Sequence, residues 1–243
     1  MNKRIFAHRG VSGICPENTM AAFQAAVDHG LEWIETDVDI IGDGTAILIH
    51  DTTLDRTTNA SGSYYRLGSS DLANIDAGSW FAPEYAGERI PTLRELVDFM
   101  NDTGLNANIE LKSNEAGGAM SYQLINNVGA ELSRLNGPQV IVSSFNHLLL
   151  RMIKTENPEL PIGALFTKDS LGPDWRSVLD LLEADYIHPE SAGLTHEMVR
   201  AFRKAGFGVN VWTVNSPARA NELFNWGATG VFSDVPHLLK HLI

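Results

Sequence analysis

The chain has 243 residues, 44% of them hydrophobic and 20% charged, enough for one sizeable core and incompatible with a disordered or peptide-like protein. At ~150 residues per domain one or two domains fit, and so does a single α/β barrel of about 250 residues. The formal net charge is −12 with no basic run, which argues against nucleic acid and anionic membrane surfaces as partners.

Cys15 is the single cysteine and cannot close an internal disulfide, as expected of a chain kept in a reducing compartment. The first ten residues lack the apolar core and small-residue cleavage site of a secretory signal. No stretch approaches the ~20 consecutive apolar residues of a membrane span. The expectation is a cytoplasmic protein without a membrane anchor, with homo-oligomerisation left open.

Residues 1–10 read as a first strand. Asn18-Thr19 then caps a helix over 20–29, apolar at helical spacing and stopped by Gly30. A β-branched strand over 33–41 is joined by the turn Gly42-Asp43-Gly44 to a short extended run over 46–49. An amphipathic helix over 91–100, a strand over 108–112, a helix over 122–135, a strand over 140–145 and a helix over 147–155 follow. The rhythm continues with strands over 162–166, 186–188, 208–214 and 230–233, each followed by a helix, over 175–183, 196–205, 217–226 and 236–242. Strands near positions 5, 35, 110, 142, 164, 187, 211 and 231 number eight, which predicts a (β/α)8 barrel. A doubly wound open sheet fits less well, because Gly10-Val11-Ser12-Gly13 is a poor match to a nucleotide-binding turn.

The segment 52–89 interrupts this rhythm. It is rich in Gly, Ser, Asp and Asn but carries Tyr64, Tyr65, Trp80, Phe81 and Tyr85, which favours a folded cap inserted into a single barrel domain, 1–243. Lying between a strand and its helix, it belongs at the carboxyl-terminal face, where barrel active sites are built.

Polar residues collect at the predicted strand ends: His8, Arg9, Glu35, Asp37, Asp39, His50, Asp51, Glu110 and Lys112. Alternation along a strand gives Glu35 and Asp37 one face, and Glu110 and Lys112 one face of a neighbouring strand. Glu35, Asp37 and Glu110 converging in a barrel mouth would repel one another unless a cation sat between them. All-oxygen ligation suits Mg²⁺ or Ca²⁺. Pairing with Arg or Lys across the barrel is the alternative for any one acid, but accounts less well for three. His8 and His50 flank this cluster as candidate general acid and base. Arg9 offers a planar fork for an anionic oxygen and Lys112 a second positive charge, or else neutralises Glu110. Together these are the requirements of in-line displacement at a phosphodiester. Of the remaining histidines only His188 stands at a strand end, as a weaker candidate for ligand contact. Glu17 supports the helix start or orients Arg9, Asn18 is read as a cap, Asp39 as a supporting acid and Asp51 as a loop-fixing one.

The motifs His8-Arg9-Gly10, Pro16-Glu17-Asn18-Thr19, Glu35-Thr36-Asp37-Val38-Asp39, His50-Asp51 through Leu54 and Arg56-Thr57-Thr58, Ile90-Pro91-Thr92-Leu93, and Glu110-Leu111-Lys112 closely resemble those of glycerophosphodiester phosphodiesterases. So do Ser143-Ser144-Phe145, Trp212-Thr213-Val214-Asn215 and Ser233-Asp234-Val235-Pro236, so the resemblance runs through the chain in order. It implies a TIM-type barrel with a small insertion, and hydrolysis of glycerophosphodiesters to glycerol 3-phosphate and a free alcohol. His8 and His50 fall on the family's catalytic histidines, Glu35, Asp37 and Glu110 on its metal ligands, and Arg9 and Lys112 on its phosphate contacts. Trp212 is a candidate to pack on the glycerol carbons. The match is looser over 172–189 and at Phe232-Ser233-Asp234. The expected partner is a small deacylated glycerophosphodiester, and the alternative activity is a phospholipase-type lyase that stops at a cyclic phosphate.

Overall fold

The computed structural model describes residues 3–112 and 115–243. Its strands are β1 (Arg4–Ala7), β2 (Trp33–Ile40), β3 (Ala46–Leu48), β4 (Asn106–Leu111), β5 (Val140–Ser144), β6 (Ile162–Phe166), β7 (Tyr186–Pro189), β8 (Gly208–Val211) and β9 (Gly230–Ser233). The helices are α1 (Met20–Asp28), α2 (Leu93–Thr103), α3 (Gly118–Leu132), α4 (His147–Glu156), α5 (Trp175–Leu182), α6 (His196–Lys204) and α7 (Pro217–Trp226). β1 pairs in parallel with both β2 and β9, which closes eight parallel strands into a barrel. β3 lies outside the ring, antiparallel to β2, with Val38 opposite Leu48.

Alternation decides which side chains fill which layer. On β2, Ile34, Val38 and Ile40 join the apolar shell between strands and helices, while Trp33, Glu35, Asp37 and Asp39 take the opposite face. Inside the barrel, Phe6 stacks on Phe232 with centroids 4.5 Å apart and meets Trp33 edge-on at 5.3 Å. The Arg4 guanidinium closes the floor, 4.7 Å from the Trp33 ring and hydrogen-bonded to the Tyr186 hydroxyl. These aromatic side chains fill the lower end of the barrel interior.

Helix starts follow their caps. Thr19 accepts from the Ala22 amide to begin α1, and Thr92 with Glu95 forms a reciprocal capping box that starts α2 two residues beyond the expected position. α3 begins at Gly118, four residues earlier than its composition suggests, and buries its face through Leu124, Ile125 and Val128. The expected strand over 208–214 ends at Val211. The expected helix over 236–242 is instead two 3₁₀ turns, Pro236–Leu238 and Lys240–Leu242. Seven residues make too few i→i+4 bonds to hold an α-helix without stronger packing.

The segment 52–89 contains 3₁₀ turns at Ser69–Asn74 and Pro83–Tyr85. Leu54, Tyr64, Leu72 and Ile75 form an apolar cluster of their own with Ile41, Ile47, Ile49 and Ile90 beside β3. No helix among the described residues is long and apolar enough to cross a membrane.

Candidate active site

The first turn at the rim is strained. Arg9 has φ of +56° and Gly10 of +80°, and a Cβ on Gly10 would lie 2.5 Å from that of Ala22, so the chain needs glycine to reverse against α1. The reversal aims the Arg9 amide at Glu35 Oε2, 2.9 Å away. It also brings the Arg9 guanidinium Nε within 3.4 Å of Asp37 Oδ2, an ion-pair contact without hydrogen-bond geometry.

Sheet register assembles the acids. Asp37 on β2 lies opposite Glu110 on β4, and Glu35 sits two residues earlier on the same face. Each of the three offers a carboxylate oxygen within 4.8 Å of the others. Burial, and then Asp37, raise Glu35 to about 8 and also raise Glu110. Asp37 moves the other way: burial favours its neutral form, but Lys112, Arg9 and His50 together hold it ionised. Lys112 Nζ lies 2.9 Å from Glu110 and 3.3 Å from Asp37, so its positive charge offsets two of the acids at the rim. Two buried carboxylates and a half-buried one, Glu35 and Glu110 among them pushed towards protonation by burial and by Asp37, are a donor set that a hard divalent cation fits.

Each rim imidazole has a carboxylate behind it. His8 Nδ1 pairs with Asp234 Oδ1 at 2.6 Å, and its Nε2 lies 3.9 Å from Glu35. Asp234 is itself held by Ser12 Oγ and Asn215 Nδ2. Burial would lower the proton affinity of His8, but the Asp234 hydrogen bond and Glu35 outweigh it and raise it. His50 Nδ1 pairs with Asp51 Oδ1 at 2.7 Å. Burial, together with the nearby Lys112 and Arg9 charges, lowers the proton affinity of His50 against the pull of Asp37 and Asp51.

Between the imidazoles lies a cavity of about 190 Å³, polar where His8, Arg9, Glu35 and His50 face it and apolar around Phe145 and Trp212. Trp212 stands edge-on to Phe145 at 5.3 Å, and its Nε1 donates to the His188 carbonyl at 2.9 Å. A larger cleft, about 490 Å³, opens at the floor around Lys3, Arg4, Trp33 and Lys240, and its lining holds none of the residues singled out from the sequence.

Two expectations are corrected here. His188 is fully buried inside the barrel, its Nε2 3.1 Å from Asn210 Nδ2 and its ring against Gly163, where a Cβ would sit 2.4 Å away. It fills the core below the mouth and is not among the residues that line the cavity described above. Asn18 is not the cap, since Thr19 performs that task. Instead, Asn18 Nδ2 donates to Asp37 Oδ2 and its Oδ1 accepts from Thr36 Oγ1, which orients an acid of the cluster. Sequence reasoning gave Asp234 no role, although a polar residue just beyond the last strand of a closing barrel must lie beside the end of the first. It also missed the partners of Asp39, whose carboxylate accepts from the Tyr64 and Tyr65 hydroxyls at 2.6 and 2.8 Å and fastens 52–89 to β2.

Fold and rim define a class: a (β/α)8 enzyme whose open end gathers carboxylates, imidazoles and cationic side chains around one cavity. The glycerophosphoryl diester phosphodiesterase family matches the sequence over residues 8–238. The chain belongs to that family. It is 36% identical to a glycerophosphodiester phosphodiesterase of Caldanaerobacter subterraneus, with 100% of this chain and 98% of that one covered. It is 34% identical to a glycerophosphodiester phosphodiesterase of Bacillus subtilis, covering 96% and 83%. An Oleispira antarctica phosphodiesterase solved in complex with the product sn-glycerol-3-phosphate superposes with a TM-score of 0.94 at 32% identity, covering 99% of this chain and 96% of that one.

Proposed function

We propose that this enzyme hydrolyses glycerophosphodiesters to sn-glycerol 3-phosphate and an alcohol, with His8 and His50 moving protons, Glu35, Asp37 and Glu110 holding a divalent metal, Mg²⁺ or Ca²⁺, and Arg9, Lys112 and Trp212 contacting substrate. One observation carries the reading: two imidazoles, each backed at Nδ1 by a carboxylate 2.6 or 2.7 Å away, face one cavity on either side of the acid cluster. An acid on Nδ1 fixes the tautomer and leaves Nε2 for the substrate. The product-bound Oleispira relative supports the substrate class.

A divalent cation held by the three carboxylates supplies neutralisation of the phosphoryl charge. Arg9 orients a phosphoryl oxygen, and Trp212 with Phe145 covers the glycerol carbons and excludes water. His50 takes the proton of the glycerol 2-hydroxyl, whose oxygen attacks phosphorus. The bond from phosphorus to the departing alcohol breaks as His8 protonates that oxygen. The cyclic phosphate then opens to water with the two histidines exchanging roles. Charge favours this order: His8 faces two acids, Asp234 and Glu35, whereas the Asp51 behind His50 is shared with Arg56. Direct attack by water is the competing route, and unchanged turnover of a substrate lacking the 2-hydroxyl would select it. The reading treats the chain as one barrel domain with 52–89 as an inserted cap, consistent with the apolar cluster that this segment shares with Ile41, Ile47, Ile49 and Ile90.

The test is a coupled assay for glycerol 3-phosphate released from glycerophosphocholine, with EDTA and with added Mg²⁺ or Ca²⁺. Full activity in chelator removes the metal from the reading. Accumulation of a cyclic phosphate as final product, seen by phosphorus NMR, replaces hydrolysis by the lyase reaction.

A further inference from the structure

Arg9, Lys112 and Arg56 are cationic side chains near the rim, and of these Arg56 touches neither the acid cluster nor the cavity. It nevertheless makes four charge-assisted hydrogen bonds. Its Nε and Nη2 donate to Asp51 Oδ2 and Oδ1 at 2.7 and 2.9 Å, and its Nη1 and Nη2 donate to Glu17 Oε2 and Oε1 at 2.7 and 2.8 Å. Each carboxylate has one further duty. Glu17 Oε1 accepts from Arg9 Nη1 at 2.9 Å, and Asp51 Oδ1 pairs with His50 Nδ1 at 2.7 Å. A single planar fork from the cap thus lies between the group behind Arg9 and the group behind His50, which come from the turn after β1 and the turn after β3.

We propose that Arg56 is a positioning residue that couples substrate capture to proton transfer, fixing Glu17 and Asp51 in one arrangement and through them Arg9 and His50. This rests on the reading of Arg9 as a phosphate contact and His50 as a proton carrier. The guanidinium is suited to the task because its donors lie in one plane and can engage two carboxylates bidentately, which an ammonium cannot do. A purely structural role is poorly served at this position. The Arg56 side chain is 44% exposed, and the cap is already held by its apolar cluster and by the Tyr64 and Tyr65 hydroxyls on Asp39. The geometry makes the two arms separable: the Glu17 arm acts on substrate affinity and the Asp51 arm on turnover.

The test uses the full chain and glycerophosphocholine hydrolysis, reading kcat, KM and Tm for Arg56→Ala, Arg56→Lys, Glu17→Gln, Asp51→Asn and the double variant Arg56→Ala with Asp51→Asn. His50→Ala tests the underlying reading, and Arg94→Ala, which breaks an exposed pair with Glu131, serves as the unaffected control. Arg56→Ala is expected to lower kcat and raise KM, each on the order of 10-fold, with Tm moved by only about 2 °C. Glu17→Gln raises chiefly KM and Asp51→Asn lowers chiefly kcat. Arg56→Lys recovers little of either, and Asp51→Asn costs less in the Arg56→Ala background than in the native one. The coupling is overturned if His50→Ala is inactive while Arg56→Ala keeps kcat and KM within about 2-fold, if Arg56→Lys restores both, or if the Asp51→Asn cost is the same in both backgrounds. Should Arg56→Ala fail to fold, Arg56→Lys and Arg56→Gln read the same two parameters. Full activity of His50→Ala is a different failure, one that removes the functional reading and the coupling with it.

Discussion

The two histidine–carboxylate pairs at the rim look alike and are built differently. His8 receives Asp234 from the far end of the chain, because pairing of β1 with β9 sets Ala7 beside Ser233 and so brings the next residues together. His50 receives Asp51 from the adjacent peptide, with no help from barrel closure. The first carboxylate is locked by Ser12 and Asn215, and its histidine also faces Glu35. The second is shared with Arg56, and its histidine stands near the positive charges of Lys112 and Arg9. Surroundings therefore move two identical side chains in opposite directions, His8 towards the protonated form and His50 towards the neutral one. Such divergence is what separates an acid from a base within one site.

The largest expected effect comes from removing the divalent ion proposed to lie between the two pairs. Chelation should reduce turnover by about three orders of magnitude, the rate equivalent of several kcal/mol of charge stabilisation, with recovery on adding Mg²⁺ or Ca²⁺. Retention of activity at saturating EDTA would show that the acids have another use. Next, His8→Ala and His50→Ala should each lower kcat by about 10²- to 10⁴-fold, measured by release of glycerol 3-phosphate. A small loss at one of them would leave the other as the sole proton carrier of the two.

The carboxylates sharpen the contrast. Asp234→Asn should cost on the order of 10- to 100-fold in kcat, and more than Asp51→Asn, since Asp234 serves His8 without sharing its charge with an arginine. Equal losses would contradict the asymmetry. Away from the pairs, Trp212→Ala should raise KM about 10-fold, through loss of apolar contact, while changing kcat little.

The smallest effect concerns stability. In the fold Asp234 is held at about 2, below its ordinary 3.8, because its hydrogen bonds to His8, Asn215 and Ser12 outweigh burial. A depressed carboxylate stabilises the fold above its unfolded pKa, and that contribution disappears as pH falls through the folded value. Denaturation midpoints followed from pH 4 to pH 2 should therefore drop less steeply in Asp234→Asn than in the native chain. Parallel curves would mean that the pair contributes nothing to folding.

Much of this was legible in one dimension. Strand positions followed from β-branched runs bounded by turn residues, and the shared face of Glu35 and Asp37 followed from their i, i+2 spacing, which needs no tertiary knowledge. The short turns at 236–242 were misread because a seven-residue apolar pattern does not distinguish 3₁₀ from α geometry. Asn18 was misread because asparagine before a helix fits a cap as well as it fits a buried hydrogen bond to Asp37. Arg56 was seen only as part of a motif. The bonds that give it a task join Glu17 and Asp51, residues from separate turns.

The order of residues by itself determined an eight-stranded barrel, a set of acids with one periodicity, and histidines at strand ends, since these depend on local propensity and on alternation that is intrinsic to an extended chain. Only the tertiary structure decided that Asp234 stands behind His8, how Asp39 ties the 52–89 segment to β2, and why His188 is core while His8 is rim. Those outcomes depend on barrel closure and on distances of a few ångströms between segments far apart in the chain, where burial and neighbouring charge set the chemistry of each group.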